Sequence, residues 1–246
     1  MQVTQHKWFS PILEQEMELK VYGQGGKPVL VFPTEGGRFY EFEDFKMVKA
    51  CEDFLESGKI CLFTVDSVDK QSWTNYDIHP ALRAIRHIEY DRYIIEEVIP
   101  FIHEHTQYGY ERVLTTGCSM GGYHSANFFF RHPDVFDSVI SMSGVYTLQL
   151  FIKDYMDENV YFNTPLAFLP HLTDPVILDW YRKSHIILSV GQGAWEDVML
   201  ADMQQMKAIL EAKHIPAWVD FWGHDVNHDW PWWRIQFPYF LNHLPL

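Results

Sequence analysis

The chain has 246 residues, 47% of them hydrophobic and 21% charged, a balance that supports a large folded core and excludes intrinsic disorder. Its formal net charge of −14 at pH 7 would repel phosphate backbones and anionic lipid, so nucleic acid and membrane surfaces are not expected partners. Cys51, Cys61 and Cys118 form neither a disulfide framework nor a metal-ligand pattern, and the N-terminus shows no basic-then-apolar leader, so a cytoplasmic location is expected.

Residues 3–22 mix polar and apolar side chains and read as one or two early strands. Residues 23–28, rich in glycine and ending in Pro28, form a turn. A buried strand follows at 29–32 (Val-Leu-Val-Phe), then the loop Pro33-Thr34-Glu35-Gly36-Gly37-Arg38. Residues 42–56 have helical character, and Gly58 closes them as a C-cap would. Residues 60–65 (Ile-Cys-Leu-Phe-Thr-Val) are a second buried strand, with Ser72-Trp73 in the loop behind it, either bordering the site or packing. From 80 to 105, the spacing of Leu82, Ile85, Ile88, Tyr93, Ile94 and Val98 predicts a long amphipathic helix that Pro100 kinks or breaks. His103 and His105 near its end complement its dipole.

Further strands are expected at 113–116, 138–142, 186–190 and 218–221, with helices at 123–130 and 201–214. Strands alternating with helices predict an α/β domain over 1–246, a mostly parallel sheet covered on both faces. Between 144 and 185 the pattern loosens into aromatics and prolines. A partly helical excursion over the sheet's C-terminal edge is expected there, where such folds place their sites.

The most informative stretch is Gly117-Cys118-Ser119-Met120-Gly121-Gly122, a G-x-S-x-G pattern between a predicted strand and a predicted helix. In that context the turn is so tight that the serine is strained and its hydroxyl stands clear of the sheet. Small residues two positions either side are then a steric necessity. Cys118 competes poorly as nucleophile, because its side chain would point away from the apex.

A serine hydroxyl needs a base, and the base needs a carboxylate to orient it. In the α/β-hydrolase order the acid follows the strand after the serine unit and the histidine follows the last strand. Both places are occupied: Glu196 and Asp197 stand after residues 186–190, and His224 and His228 after residues 218–221. Residue types alone leave both pairs open, with Glu196 favoured over Asp197 as the acid. His224 and His228 lack the inner glutamate of a zinc-binding H-E-x-x-H helix, so no metal is expected. For an oxyanion, two backbone N–H donors are required. Met120, next to the nucleophile, is one, and the glycine loop at 33–38 offers the other.

The segment His228-Asp229-Trp230-Pro231-Trp232-Trp233-Arg234, ending in Phe240-Leu241, resembles the C-terminal signature of the putative esterase family, which includes esterase D-like enzymes and mycolyltransferase antigens. Gly-Cys-Ser-Met-Gly-Gly matches that family's nucleophile turn residue by residue, and the resemblance extends from Val29 to Leu241. It implies an α/β-hydrolase fold, His228 rather than His224 as the base, and Gly37 as second oxyanion donor, with Gly36 or Arg38 as alternatives. One departure concerns the acid. Many relatives place an aspartate shortly after a glycine where Ala194 stands here, which leaves Glu196 against Asp197 to be resolved.

The function expected is hydrolysis of a small carboxylic ester through an acyl-serine, without a cofactor. Acyl transfer or thioester cleavage would use the same residues, and a non-catalytic binding protein on the same scaffold is the alternative of another class. Homo-oligomerisation is compatible with the sequence.

Overall fold

A computed structural model describes residues 1–106 and 112–246. Strands β1 (Val3–Ser10), β2 (Gln15–Tyr22), β3 (Lys27–Phe32), β4 (Ile60–Val65), β5 (Val113–Cys118), β6 (Phe136–Met142), β7 (His185–Val190) and β8 (Trp218–Phe221) form one sheet. Their order is β1-β2-β4-β3-β5-β6-β7-β8. The first two strands are a hairpin, antiparallel to each other and, through β2, to β4; every pairing from β4 to β8 is parallel. The expected α/β architecture is therefore the one observed.

Strand alternation divides the core between the two faces. From β3, Leu30 and Phe32 join one apolar cluster with Phe63, Val113, Phe128 and Leu188, while Val29 and Val31 join a second with Leu62, Leu114, Ile140, Trp233 and Phe237. A strand buried on both faces is nearly continuously apolar, which makes 29–32 and 60–65 legible as strands; in 113–116 the buried Thr115 and Thr116 hydroxyls donate to Ser125 O (3.0 Å) and Ile140 O (2.8 Å).

Two helical expectations are corrected. Residues 42–56 are not one helix but three short ones, α1 (Glu41–Asp44), α2 (Met47–Ala50) and α3 (Glu52–Glu56). Lys46 adopts a left-handed conformation with φ 62° between the first two, which no continuous helix tolerates. Gly58 does close the last: its N–H donates to Leu55 O (3.3 Å) and that of Lys59 to Phe54 O (2.9 Å), the paired bonds of a Schellman cap.

The second correction concerns 80–105. Helix α4 (Pro80–Tyr93) continues through a wide π-helical turn (Ile94–Val98) into α5 (Ile99–Thr106). Pro100 sits just beyond that turn, whose widened spacing accommodates a residue that has no N–H and crowds the preceding turn. The chain is neither broken nor ended there. The face expected from the spacing is buried in its second half, at Tyr93, Ile94 and Val98, and differs only in the first turns. Leu82 and Ile85 are exposed, whereas Arg83, Ala84, His87, Tyr90 and Asp91 are buried. Tertiary partners make that possible: Arg83 donates to Phe151 O (2.9 Å), Tyr90 to Asp66 O (2.8 Å), and Asp91 accepts from Arg131 (2.8 Å).

Helix α6 (Met120–Arg131) packs against β5 and β6 directly after the Ser119 turn. The loose region contains α7 (Gln149–Ile152), α8 (Glu158–Phe162), α9 (Pro165–Phe168) and α10 (Pro175–Arg182). Its first residues, through Ser143 and Tyr146, meet the loop after β7 and the helix beyond it, α11 (Asp197–Ala212). Its helices pack on the flank formed by α4, α6 and α11. A last helix, α12 (Trp230–Leu241), lies on the opposite face and buries Trp230, Trp233, Phe237 and Phe240. No described helix is long and apolar enough to cross a membrane.

Candidate active site

Strand β5 ends at Cys118, and Ser119 turns the chain into α6 with φ 57° and ψ −120°, outside the regions a serine ordinarily occupies. The strain is held by close packing on both sides. A Cβ on Gly117 would lie 2.4 Å from the Gly121 carbonyl carbon, and one on Gly121 would lie 2.3 Å from Phe32 O. Backbone meets backbone there, so only glycine fits. Ser119 N–H donates to Met142 O (2.9 Å), anchoring the turn to the neighbouring strand.

The loops after β7 and β8 are tied to each other by backbone bonds and by one to the Asn227 side chain. Gly193 N–H donates to Val226 O (2.9 Å), Ala194 N–H to Asn227 Oδ1 (2.8 Å), and His228 N–H to Ala194 O (3.0 Å). Trp195 then takes a left-handed conformation, φ 69°, and the next side chain, Glu196, points inward and is 1% exposed. The two loops thereby deliver an acid and an imidazole to one place. His228 Nε2 lies 2.8 Å from Ser119 Oγ, and His228 Nδ1 lies 3.3 Å from Glu196 Oε2. A carboxylate only accepts, so Nδ1 carries the proton and Nε2 is free to accept from the serine hydroxyl.

The alternatives fall elsewhere. Asp197 is exposed in the first turn of α11, where a carboxylate complements the helix dipole. His224 is exposed in the loop ahead of His228. Cys118 is buried with the apolar cluster on the α12 face, and burial pushes its thiol well above the ordinary range. Ser72 and Trp73 are fully buried, Ser72 Oγ donating to Val68 O (3.1 Å) and Trp73 packing against His87 (centroids 4.9 Å apart). Their part is packing. Among the described residues, no three His, Cys, Asp or Glu side chains gather as a metal site would require.

The glycine loop needs a correction at Gly37. Its N–H donates to Thr34 O (2.9 Å), closing a turn inside the loop. Thr34 N–H and Oγ1 both donate to Glu41 (2.8 and 2.6 Å), and Phe39 N–H donates to Asp66 (3.0 Å). Two carboxylates, Glu41 and Asp66, therefore pin this loop from either end. Burial raises the proton affinity of both, and the bonds from Thr34 to Glu41 and from Arg38 to Asp66 oppose that rise. The sequence offered no sign of either clamp, since each joins residues that only the fold brings together.

A family model described as "Putative esterase" matches residues 10–244. The chain belongs to that family. This esterase is a serine hydrolase of carboxylic esters. No curated protein sequence matches it. Among solved structures, a ferulic acid esterase superposes with a TM-score of 0.78 at 17% identity, covering 98% of this chain and 97% of that one. An S-formylglutathione hydrolase (FrmB) from Staphylococcus aureus gives 0.74 at 14% identity, covering 98% of each. MPT51 (FbpC1) from Mycobacterium tuberculosis gives 0.74 at 12% identity, covering 99% and 97%. At such identities the likeness is one of fold, and it spans the esterase from end to end.

Proposed function

We propose that Ser119 is the nucleophile, His228 the general base and acid, and Glu196 the carboxylate that orients it. The observation that carries this is the strained Ser119 with its Oγ 2.8 Å from His228 Nε2. His228 takes the hydroxyl proton as Oγ attacks the ester carbonyl, then gives that proton to the departing alcohol, leaving an acyl-serine. Water enters the vacated position, gives a proton to His228 as its oxygen attacks the acyl carbon, and the Oγ–acyl bond then breaks as His228 returns that proton to Ser119 Oγ, releasing the acid. Glu196 stabilises the imidazolium formed at each step.

The developing oxyanion is held by the N–H of Met120, one of the donors that the first turn of α6 leaves without an intrahelical acceptor. With Gly37 engaged inside its own turn, the second donor is an amide at the corner of that turn, Glu35 or Gly36. The substrate is a small neutral or cationic ester, since a protein carrying −14 net charge disfavours polyanions, nucleic acid included. Three buried free thiols, Cys51, Cys61 and Cys118, suit a reducing cytoplasm.

The test is covalent labelling with a fluorophosphonate together with turnover of p-nitrophenyl esters of graded chain length. Ser119→Ala is expected to abolish labelling and to lower kcat about 10⁴-fold or more. A folded variant that hydrolysed these esters at the parental rate would sink the nucleophile assignment.

A further inference from the structure

The carboxylate of Glu196 has two oxygens, and His228 uses only one of them. The other, Oε1, accepts from Ser143 Oγ at 2.6 Å and, at 3.4 Å, from Gly191 N–H. Ser143 in turn receives the indole N–H of Trp233 at 3.0 Å. Trp233 also sets its ring edge-on to His228, with centroids 5.0 Å apart and planes at 86°. Ser143 and Trp233 are both buried, and Ser143 is fixed by its own N–H to Ser189 O (2.8 Å) in a left-handed conformation, φ 50°.

The direction of this chain of bonds follows from the donor inventory. An indole N–H can only donate, so the Ser143 oxygen is an acceptor toward Trp233, and its single proton is turned toward Glu196. That proton has a favourable partner only if Glu196 presents a lone pair, which the carboxylate always does. We propose that Trp233 and Ser143 are positioning residues for ester hydrolysis: Trp233 orients the Ser143 hydroxyl, and Ser143 holds Glu196 as a carboxylate aimed at His228. This rests on the assignment of Glu196 and His228 above. It adds a run of donors, Trp233 to Ser143 to Glu196, that reaches the acid from behind, supplied by α12 and by the loop after β6.

The groups facing Glu196 from the elements around it are few. Cys118 at the end of β5 and Tyr146 in the loop after β6 are both pushed up by burial and stay neutral below pH 8. On α11, Asp197 is exposed, and Asp202 accepts the amides of Tyr146 and Thr147 (2.7 and 2.8 Å). The pH dependence of kcat is the readout that separates a hydrogen bond to the acid from a merely structural contact. A hydrogen bond to the carboxylate disfavours its protonation, so removing that bond makes the pair take up a proton at higher pH.

The experiment is the pH dependence of kcat and KM for a p-nitrophenyl ester in Ser143→Gly and Trp233→Phe. Glycine suits a left-handed position, so Ser143→Gly removes the hydroxyl without adding strain. Trp233→Phe keeps a ring against His228 and removes only the donor. Ser143→Gly is expected to lower kcat roughly 10- to 100-fold, as for a hydrogen bond to a charged group. KM should stay within about twofold, since Ser143 does not touch substrate, and the acid limb should move upward by about one pH unit. Trp233→Phe should shift both in the same direction by less, roughly 2- to 10-fold in kcat. If folded Ser143→Gly keeps the parental acid limb, or loses rate equally at every pH, the proposal is overturned. An unmoved limb in Trp233→Phe overturns the part given to Trp233. Parental turnover by Ser119→Ala or Glu196→Gln in the same assay would instead overturn the underlying assignment, so the two failures are distinguishable.

Discussion

At the scale of single residues, the site separates side chains that are adjacent in sequence. Glu196 is buried while its neighbour Asp197 is exposed at the start of α11. Glu196→Gln is therefore expected to cut kcat steeply, because an amide neither stabilises imidazolium nor enforces the correct tautomer. Asp197→Asn should leave kcat near parental and cost about 0.5 kcal/mol of stability through the lost dipole complement. Steady-state kinetics and urea denaturation on the pair check this; the reverse ordering in kcat would move the acid to Asp197. The two histidines divide in the same way. His228→Ala should abolish turnover, and His224→Ala, on an exposed loop position, should retain most of it in the same assay with folding verified by circular dichroism.

At the scale of elements, the Ser119 turn depends on contacts between backbones. Adding a Cβ at Gly121 would place it 2.3 Å from Phe32 O and 2.7 Å from Pro33 O, with no flexible side chain to give way. Gly121→Ala should cost about 2–3 kcal/mol, in the range of overpacked cores. It should also lower kcat, since α6 and the loop after β3 would be forced apart. Gly58→Ala is the useful contrast. Its φ of 69° makes a side chain unfavourable, but nothing lies within 4 Å of the added carbon. A loss of about 1 kcal/mol with unchanged kcat is expected there. Urea midpoints together with kcat separate the two, and equal effects on kcat would contradict the steric account.

At the scale of the whole molecule, the layer between α4 and α6 predicts a pH response of stability. His87 is fully buried, stacked near Trp73 and His124, and burial, with the nearby His124 and Arg131, holds its proton affinity well below the ordinary value of 6.5. A histidine with a depressed value in the folded state contributes stability that is complete above its unfolded value. As pH falls below about 6.5, the unfolded chain binds a proton that the folded chain refuses, and stability declines at up to ~1.4 kcal/mol per pH unit. His87→Phe, which keeps an aromatic ring in place, should flatten the loss between pH 6.5 and 5. Chemical denaturation at both pH values would test it; an identical decline in the two proteins would show that His87 does not carry the effect.

The sequence by itself determined the sheet interior and the tight turn that carries Ser119. Strands 29–32 and 60–65 are apolar at nearly every position because both faces are covered, and Ser119 is marked by glycines that backbone contact demands. Family resemblance added His228 over His224. What only the tertiary structure decided are relations between distant segments. The Leu82–Ile85 spacing predicts one buried face of α4, yet Arg83, Tyr90 and Asp91 are buried instead because Phe151, Asp66 and Arg131 satisfy them. Gly37 N–H is engaged by a hydrogen bond to Thr34 O within its own loop. Glu196 faces inward because Trp195 reverses the backbone and three bonds tie its loop to that of His228. Ser143 and Trp233 reach the acid across 53 positions for Ser143–Glu196 and 90 for Ser143–Trp233. Local pattern encodes which faces are apolar and which turns are tight; the pairing of a buried polar group is a long-range matter, settled only when the chain has folded.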